Sequence, residues 1–272
     1  MKQMTDTKRK AIIGISVINF LLLLVLEFFN DKIFSDIEYG ELYYAIITRF
    51  IAGTACMLFM CVFLSPKMLN PKTTLKKFLL FLPCMAVAIN NFPFITFITG
   101  EAYINSEALH VILYALLCVC VGYFEEMAFR GCIFSVILQR RGKRLIDVFI
   151  AIVLSSVVFG AIHILNLFAG ASLVSVALQI GYSFLIGGMC SIILIKTSNI
   201  WYCVVIHAVY NFAGGVVVEC GGGIIWPMST IILTVVVALA VTAYTLYLLF
   251  RITPQEIDYL LSKSNKIMEE QH

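Results

Sequence analysis

The sequence predicts an all-α membrane protein, a polytopic bundle of about eight transmembrane helices, and three observations carry that prediction. Of the 272 residues, 61% are hydrophobic and 13% charged, against about 25% charged in a typical soluble domain; the mean hydropathy is +0.97. Eight apolar stretches, roughly 11–29, 43–64, 78–99, 108–138, 147–169, 172–195, 199–218 and 224–250, offer the ~20 residues that cross a hydrocarbon core as a helix. Basic residues, finally, fall in alternate loops. A β-barrel would show short alternating segments instead, and none is evident.

The first run follows Lys8, Arg9 and Lys10, as a secretory signal would. It ends in Leu26-Glu27-Phe28-Phe29 with no small-residue cleavage site, so it is expected to be a retained span. After the second span, the loop Ser65-Pro66-Lys67-Met68-Leu69-Asn70-Pro71-Lys72 is the clearest break in the chain. The third to eighth spans follow with short connections. The tail opens Thr253-Pro254-Gln255-Glu256, an N-cap, an N1 proline and a capping-box glutamate. Ile257, Leu260, Leu261 and Ile267 then recur at helical spacing, which predicts a short cytosolic helix on the membrane surface or the bundle, capping the last span.

Orientation follows from the charges. Lys2, Lys8, Arg9 and Lys10, then Lys67, Lys72, Lys76 and Lys77, then Arg140, Arg141, Lys143 and Arg144, then Lys196, Arg251, Lys263 and Lys266 share one side, and the other side has only Lys32. Both termini are therefore expected in the cytoplasm. This asymmetry accounts for the slightly basic balance, so the partners expected are the lipid bilayer and no nucleic acid. Eight of the nine cysteines fall within apolar spans with no CxxC pair, where Cys serves as a small packing residue.

The ionisable residues inside spans need an explanation. Arg49 lies in the second span, and Glu125, Glu126 and Arg130 lie together in the fourth. At roughly 2.5–3.5 kcal/mol each for a charge at a helix centre, the three in one span would cost on the order of 7–10 kcal/mol unpaired. Such residues mark function by default. Glu126 and Arg130 share a helix face and can pair, while Glu125 is rotated by about 100° and can face a cavity. Phe159, His163 and Asn166 form a second polar stripe, on the fifth span, and His207 and Asn211 a third, on the seventh. Glu125, His163, His207 and Asn211 together would supply a base, an imidazole partner and donors for a developing oxyanion, as water attack on an amide needs. An interhelical Glu–Arg staple with hydrogen-bonding histidines is the plainer alternative.

These residues resemble a known family. Glu125-Glu126-Met127-Ala128-Phe129-Arg130-Gly131 is similar to the EExxxR motif of the CPBP family, the CAAX-protease and bacteriocin-processing membrane proteins. Phe159-Gly160-Ala161-Ile162-His163 resembles its FxxxH, and His207-Ala208-Val209-Tyr210-Asn211 its HxxxN. The resemblance covers roughly 108–215 and divides the chain into N-terminal spans (1–107), a CPBP-like catalytic core (108–218) and a last span with cytosolic tail (219–272). It implies a catalytic cavity in the membrane and an intramembrane endopeptidase acting on a membrane-embedded or membrane-attached protein or peptide precursor. Glu125 would activate water with His163 assisting, His207 and Asn211 would stabilise the oxyanion, and Glu126 and Arg130 would support them.

Both a glutamate-dependent and a metallo-type description exist for the family. Zinc on Glu125, His163 and His207 is conceivable, but HExxH is lacking and Asn is an uncommon ligand, so metal-free chemistry is favoured. The five aspartates, Asp6, Asp31, Asp36, Asp147 and Asp258, lie in loops or near span ends, which disfavours an aspartyl type, and no GxSG-like nucleophile is present. Short loops point to a small bacterial member in the cytoplasmic membrane. A non-catalytic transporter, sensor or bacteriocin-immunity protein is the competing class. Glycine pairs such as Gly187-Gly188 and Gly214-Gly215 would suit its broken helices, although close helix packing explains them more simply.

Overall fold

The computed structural model describes residues 32–168 and 170–262, together with 14, 18, 19, 21–23, 25, 26 and 29 of the first apolar run. The expected span 11–29 thus lies largely outside the described residues, as do Ile267 and the basic residues of both termini. The fold is an all-α polytopic membrane bundle, and six helices of the described residues are long and apolar enough to cross a membrane.

In chain order these elements are α1 (Gly40–Phe63), α2 (Leu75–Asn90), the short α3 (Phe94–Thr99) and α4 (Ala108–Arg141). Then come α5 (Leu145–Ile162), α6 (Leu173–Thr197), α7 (Ile200–Cys220), α8 (Met228–Phe250) and the tail helix α9 (Pro254–Leu261). The expected count of eight spans is not confirmed, since the first run lies largely outside the described residues. The third apolar run, 78–99, is not one helix: α2 ends at Asn90, and Pro93 forces a new start at α3. Continuous apolarity located the segment but could not report the backbone break.

α4 is 34 residues long, about 51 Å at 1.5 Å per residue, which exceeds a hydrocarbon core of ~30 Å. It is regular over Ala108–Glu126, becomes a π-helix over Met127–Phe134, and returns to α geometry over Ser135–Arg141. Likewise α5 gives way at His163–Leu167 to a 3-10 turn. Between α3 and α4, Ala102–Ile104 (β1) pairs antiparallel with Gly221–Gly223 (β2), which follows α7. That pairing needs glycine: a Cβ on Gly221 would stand 1.8 Å from the Tyr103 carbonyl oxygen.

The core runs between α4, α6 and α7, where Met127, Cys190, Ile193, Leu194, Cys203 and Ile206 are fully buried. Close approach is set by small residues. A Cβ on Gly122 of α4 would meet the Val204 carbonyl and Ala208 amide of α7 at 3.0 Å. At the end of the bundle rich in basic residues, the expected tail helix is present with its capping box, Thr253 and Glu256 reciprocally bonded. Ile257 and Leu260 are buried, so α9 lies on the bundle. Lys196 Nζ reaches Glu256 Oε1 at 2.7 Å and the Arg251 carbonyl at 2.9 Å, and Lys143 pairs with Asp258. Lys67 donates to Ser262 Oγ at 2.7 Å and covers the Tyr259 ring, and its burial there pushes its ammonium below the usual lysine range.

Candidate active site

Glu125 and Glu126 are the last two residues of the regular first part of α4, and Arg130 sits in the π segment that follows. π segments are rare and cluster at functional sites. Glu126 is fully buried and Arg130 is 1% exposed. Arg130 Nη1 stands 3.0 Å from Glu126 Oε1, so the pair read from their spacing is made. The same oxygen lies 2.7 Å from His207 Nδ1 of α7, and His207 Nε2 stands 3.4 Å from Glu125 Oε2. Four ionisable groups from two helices therefore form one chain: Arg130, Glu126, His207, Glu125.

The charge count explains why such a chain survives burial. An isolated ion there would cost several kcal/mol, whereas with His207 protonated the two basic and two acidic groups would balance one another. Glu126 accepts the Nδ1 proton and so fixes the ring, as a carboxylate beside a histidine generally does. Nε2 is then aimed at Glu125. At 3.4 Å that contact is longer than a good hydrogen bond, so it is the loosest link of the chain.

Phe159, near the end of α5, is the platform of the site. Its ring lies 4.2 Å from Arg130 Cζ, 4.7 Å from the Phe129 ring, and presents edge contacts to His163 at 5.4 Å and His207 at 5.8 Å. His163 begins the 3-10 turn, half-buried, and Asn166 of the same stripe bonds Gln179 Oε1 at 2.7 Å instead of joining the site. Asn211, one turn past His207, is half-buried; its carbonyl accepts from Tyr114 at 3.4 Å, and its side chain makes no hydrogen bond among the described residues. The fold thus joins Glu125, Glu126, Arg130 and His207 directly and leaves His163 and Asn211 at the margin.

Seven buried side-chain polar atoms lack a hydrogen-bond partner among the described residues, and five of them are here: Glu126 Oε2, Arg130 Nη1 and Nη2, Ser156 Oγ and His163 Nε2. Buried polar groups are ordinarily satisfied, so their concentration at one place marks a site built for water or a ligand. The Arg130–Glu126 contact is accordingly an ion pair by distance, with the N–H directions off the oxygen. Ser156 is not singled out by the sequence, and Gly187 is marked there only as half of a glycine pair suited to close packing. A Cβ on Gly187 would stand 2.8 Å from Arg130 Nη2 and 3.0 Å from Ser156 Oγ, so that glycine makes the space the guanidinium occupies. The one available signal for Ser156 was its place on the Phe159 stripe, three residues earlier.

Glu125 also faces outward, into a cleft of about 330 Å³ between α1 and α4 lined by Leu23, Tyr44, Thr48, Arg49, Ala52 and Phe124. Glu125, His163 and His207 do not bring their donor atoms within 4.8 Å of one another; among the described residues Glu126, Cys190 and Cys203 do. Glu126 is already matched to a guanidinium, and Cys203 Sγ donates to the Cys190 carbonyl at 3.2 Å. A divalent cation in that trio would face Arg130, so neither donor set fits a resident zinc well.

Residues 107–213 match the family model described as type II CAAX prenyl endopeptidase Rce1-like. No curated protein and no solved structure matches the chain. The matched segment runs from the residue before α4 into α7 and contains Glu125, Glu126, Arg130, Phe159, His163, His207 and Asn211. With its EExxxR, FxxxH and HxxxN residues, this segment of an integral membrane protein is similar to the type II CAAX prenyl endopeptidases that the model describes, which supports the resemblance to the CPBP family.

Proposed function

We propose that the protein is an intramembrane endopeptidase that hydrolyses a peptide bond in a membrane-embedded or membrane-attached protein or peptide precursor with water activated by glutamate and histidine. The observation that carries this reading is the chain from Arg130 through Glu126 and His207 to Glu125. Glu125 takes a proton from water as the water oxygen bonds to the carbonyl carbon. Negative charge moves to the carbonyl oxygen, where His207 Nε2–H and the Asn211 amide donate to it. Collapse breaks the C–N bond, and Glu125 returns the proton to the leaving nitrogen. His163, with a buried and unpartnered Nε2, orients the water. Glu126 and Arg130 position His207 and balance its charge.

The preferred setting is a bacterial cytoplasmic membrane with both termini in the cytoplasm, a placement supported by the short loops and the basic residues on one side of the spans. The test uses purified protein in detergent with quenched precursor peptides. Cleavage is expected with the wild type and is lost in Glu125→Ala, His163→Ala and His207→Ala while folded protein persists. Full activity in Glu125→Ala would overturn the assignment. Zinc bound stoichiometrically and lost together with activity would replace the metal-free mechanism.

A further inference from the structure

The middle of α1 carries a cation with no anion paired to it among the described residues. Arg49 is half-buried, its one hydrogen bond runs from Nη1 to Thr48 Oγ1 at 3.3 Å, and no carboxylate lies within 4 Å of it among the described residues. Thr48 in turn donates to the Tyr44 carbonyl at 2.8 Å, so its hydroxyl holds one edge of the guanidinium in place. A charge at this depth is costly unless something answers it. Arg49 lines the same cleft as Glu125, and the remaining walls are apolar except for the Tyr44 and Thr48 hydroxyls.

A simple counter-charge role for Arg49 predicts an ion pair with Glu125, because apolar surroundings strengthen attraction. None is made, and Glu125 instead contacts His207. The two opposite charges face one space of about 330 Å³ without touching. A guanidinium with N–H groups left over, lining a cleft whose other walls are part apolar and part hydroxyl, suits a carboxylate, which it can hold through two parallel hydrogen bonds.

We propose that Arg49 is an anion subsite that binds a carboxylate of the peptide and so sets which bond reaches Glu125. This rests on the proteolytic reading and narrows its substrate class to apolar peptides bearing a carboxylate beside the bond cut. A lipid phosphate shares the chemistry. However, Arg49 lies nine residues into α1, about 13 Å from its start, which is deeper than head groups sit.

The experiment uses the full chain in micelles and three pools of apolar decapeptides that differ only in charge. One pool has a free C-terminal carboxylate, one a C-terminal amide, and one an amide with a single internal glutamate. Binding is measured on the Glu125→Gln protein and cleavage on the wild type. Binding of one or both carboxylate pools is expected to exceed that of the fully amidated pool by about tenfold or more, the scale of a hydrogen bond to a charged group. Adding Arg49→Gln is expected to erase that preference without changing amide binding, and Arg49→Lys to keep part of it. Equal binding of all pools, or an equal loss for all pools in Arg49→Gln, overturns the subsite. Loss of the preference on adding phosphatidylglycerol also overturns it, by making the occupant a lipid. A carboxylate preference without cleavage would leave the subsite standing and remove the proteolytic reading; cleavage without preference would do the reverse.

Discussion

α6 and α7 differ from α1 and α8 in what surrounds them. Over their most apolar windows, 56% and 50% of α6 and α7 is buried inside the protein, against 11% for α1 and 17% for α8. The buried pair can therefore carry groups the outer pair cannot: Ser183, Gly187, Ser191, His207 and the cysteines 190 and 203 all point into protein. α8 instead presents Ile231, Ile232, Val235, Val236 and Leu239 outward. Between helices, where lipid offers no hydrophobic driving force, packing relies on small residues and polar contacts. Ionic chemistry is possible in this bundle because inner helices provide partners, and Arg49 stands out because it lies on an outer helix with no carboxylate paired to it among the described residues.

The sharpest way to break this contrast is at the ionic chain. Glu125→Gln is expected to lower kcat by at least about a thousandfold, the scale of losing a base together with its electrostatic partner, with an unchanged melting temperature in detergent. A large drop in melting temperature would mean that Glu125 is structural. Next in size, Arg130→Ala should destabilise the protein by about 3–5 kcal/mol, because it leaves Glu126 buried and unpaired. Denaturant unfolding checks this, and the double variant Glu126→Met with Arg130→Met should recover much of the loss.

Gly122→Val pushes a side chain against the α7 backbone and should cost about 1–3 kcal/mol, whereas the outward-facing α8 change Val236→Leu should stay within about 0.5 kcal/mol. Similar melting shifts for the two would erase the inner–outer distinction. The smallest effect is expected at the tail: Thr253→Ala removes an N-cap worth about 1 kcal/mol. It should show as faster amide exchange in α9, with cleavage unaffected.

Much of this architecture is legible in hydropathy. The ranges 43–64, 108–138, 172–195, 199–218 and 224–250 fall within a few residues of α1, α4 and α6–α8, and 147–169 covers α5 together with the 3-10 turn that follows it. The break at Asn91–Pro93 was missed because apolar composition reports depth and says little about backbone continuity. The Glu126–Arg130 pair was readable because helical spacing brings i and i+4 together. The π segment was invisible, since a widened turn keeps these residues close enough to pair. His207 bridging the two glutamates was out of reach too. Periodicity describes one helix at a time, and that contact spans 81 positions. Gly187 carried a signal read only as close packing, when its neighbour is the Arg130 guanidinium itself.

The glycines Gly214 and Gly215 admit two side chains to the flank of α7. Asn91, at the break after α2, donates to the Tyr210 carbonyl at 2.9 Å, and Tyr114 of α4 donates to the Asn211 carbonyl at 3.4 Å. A Cβ on either glycine would collide with these side chains, at 2.2 and 1.8 Å. Two successive peptide oxygens are thus gripped from outside the helix at the level of Asn211, while the amide of that residue stays unbonded. The main chain there behaves as an anchored rail, and rotation about two bonds of one side chain is the motion left to it. Under the proposed reaction, Asn211 would then meet a peptide oxygen by a change of rotamer, on the nanosecond scale of side chains rather than the microsecond scale of sliding helices.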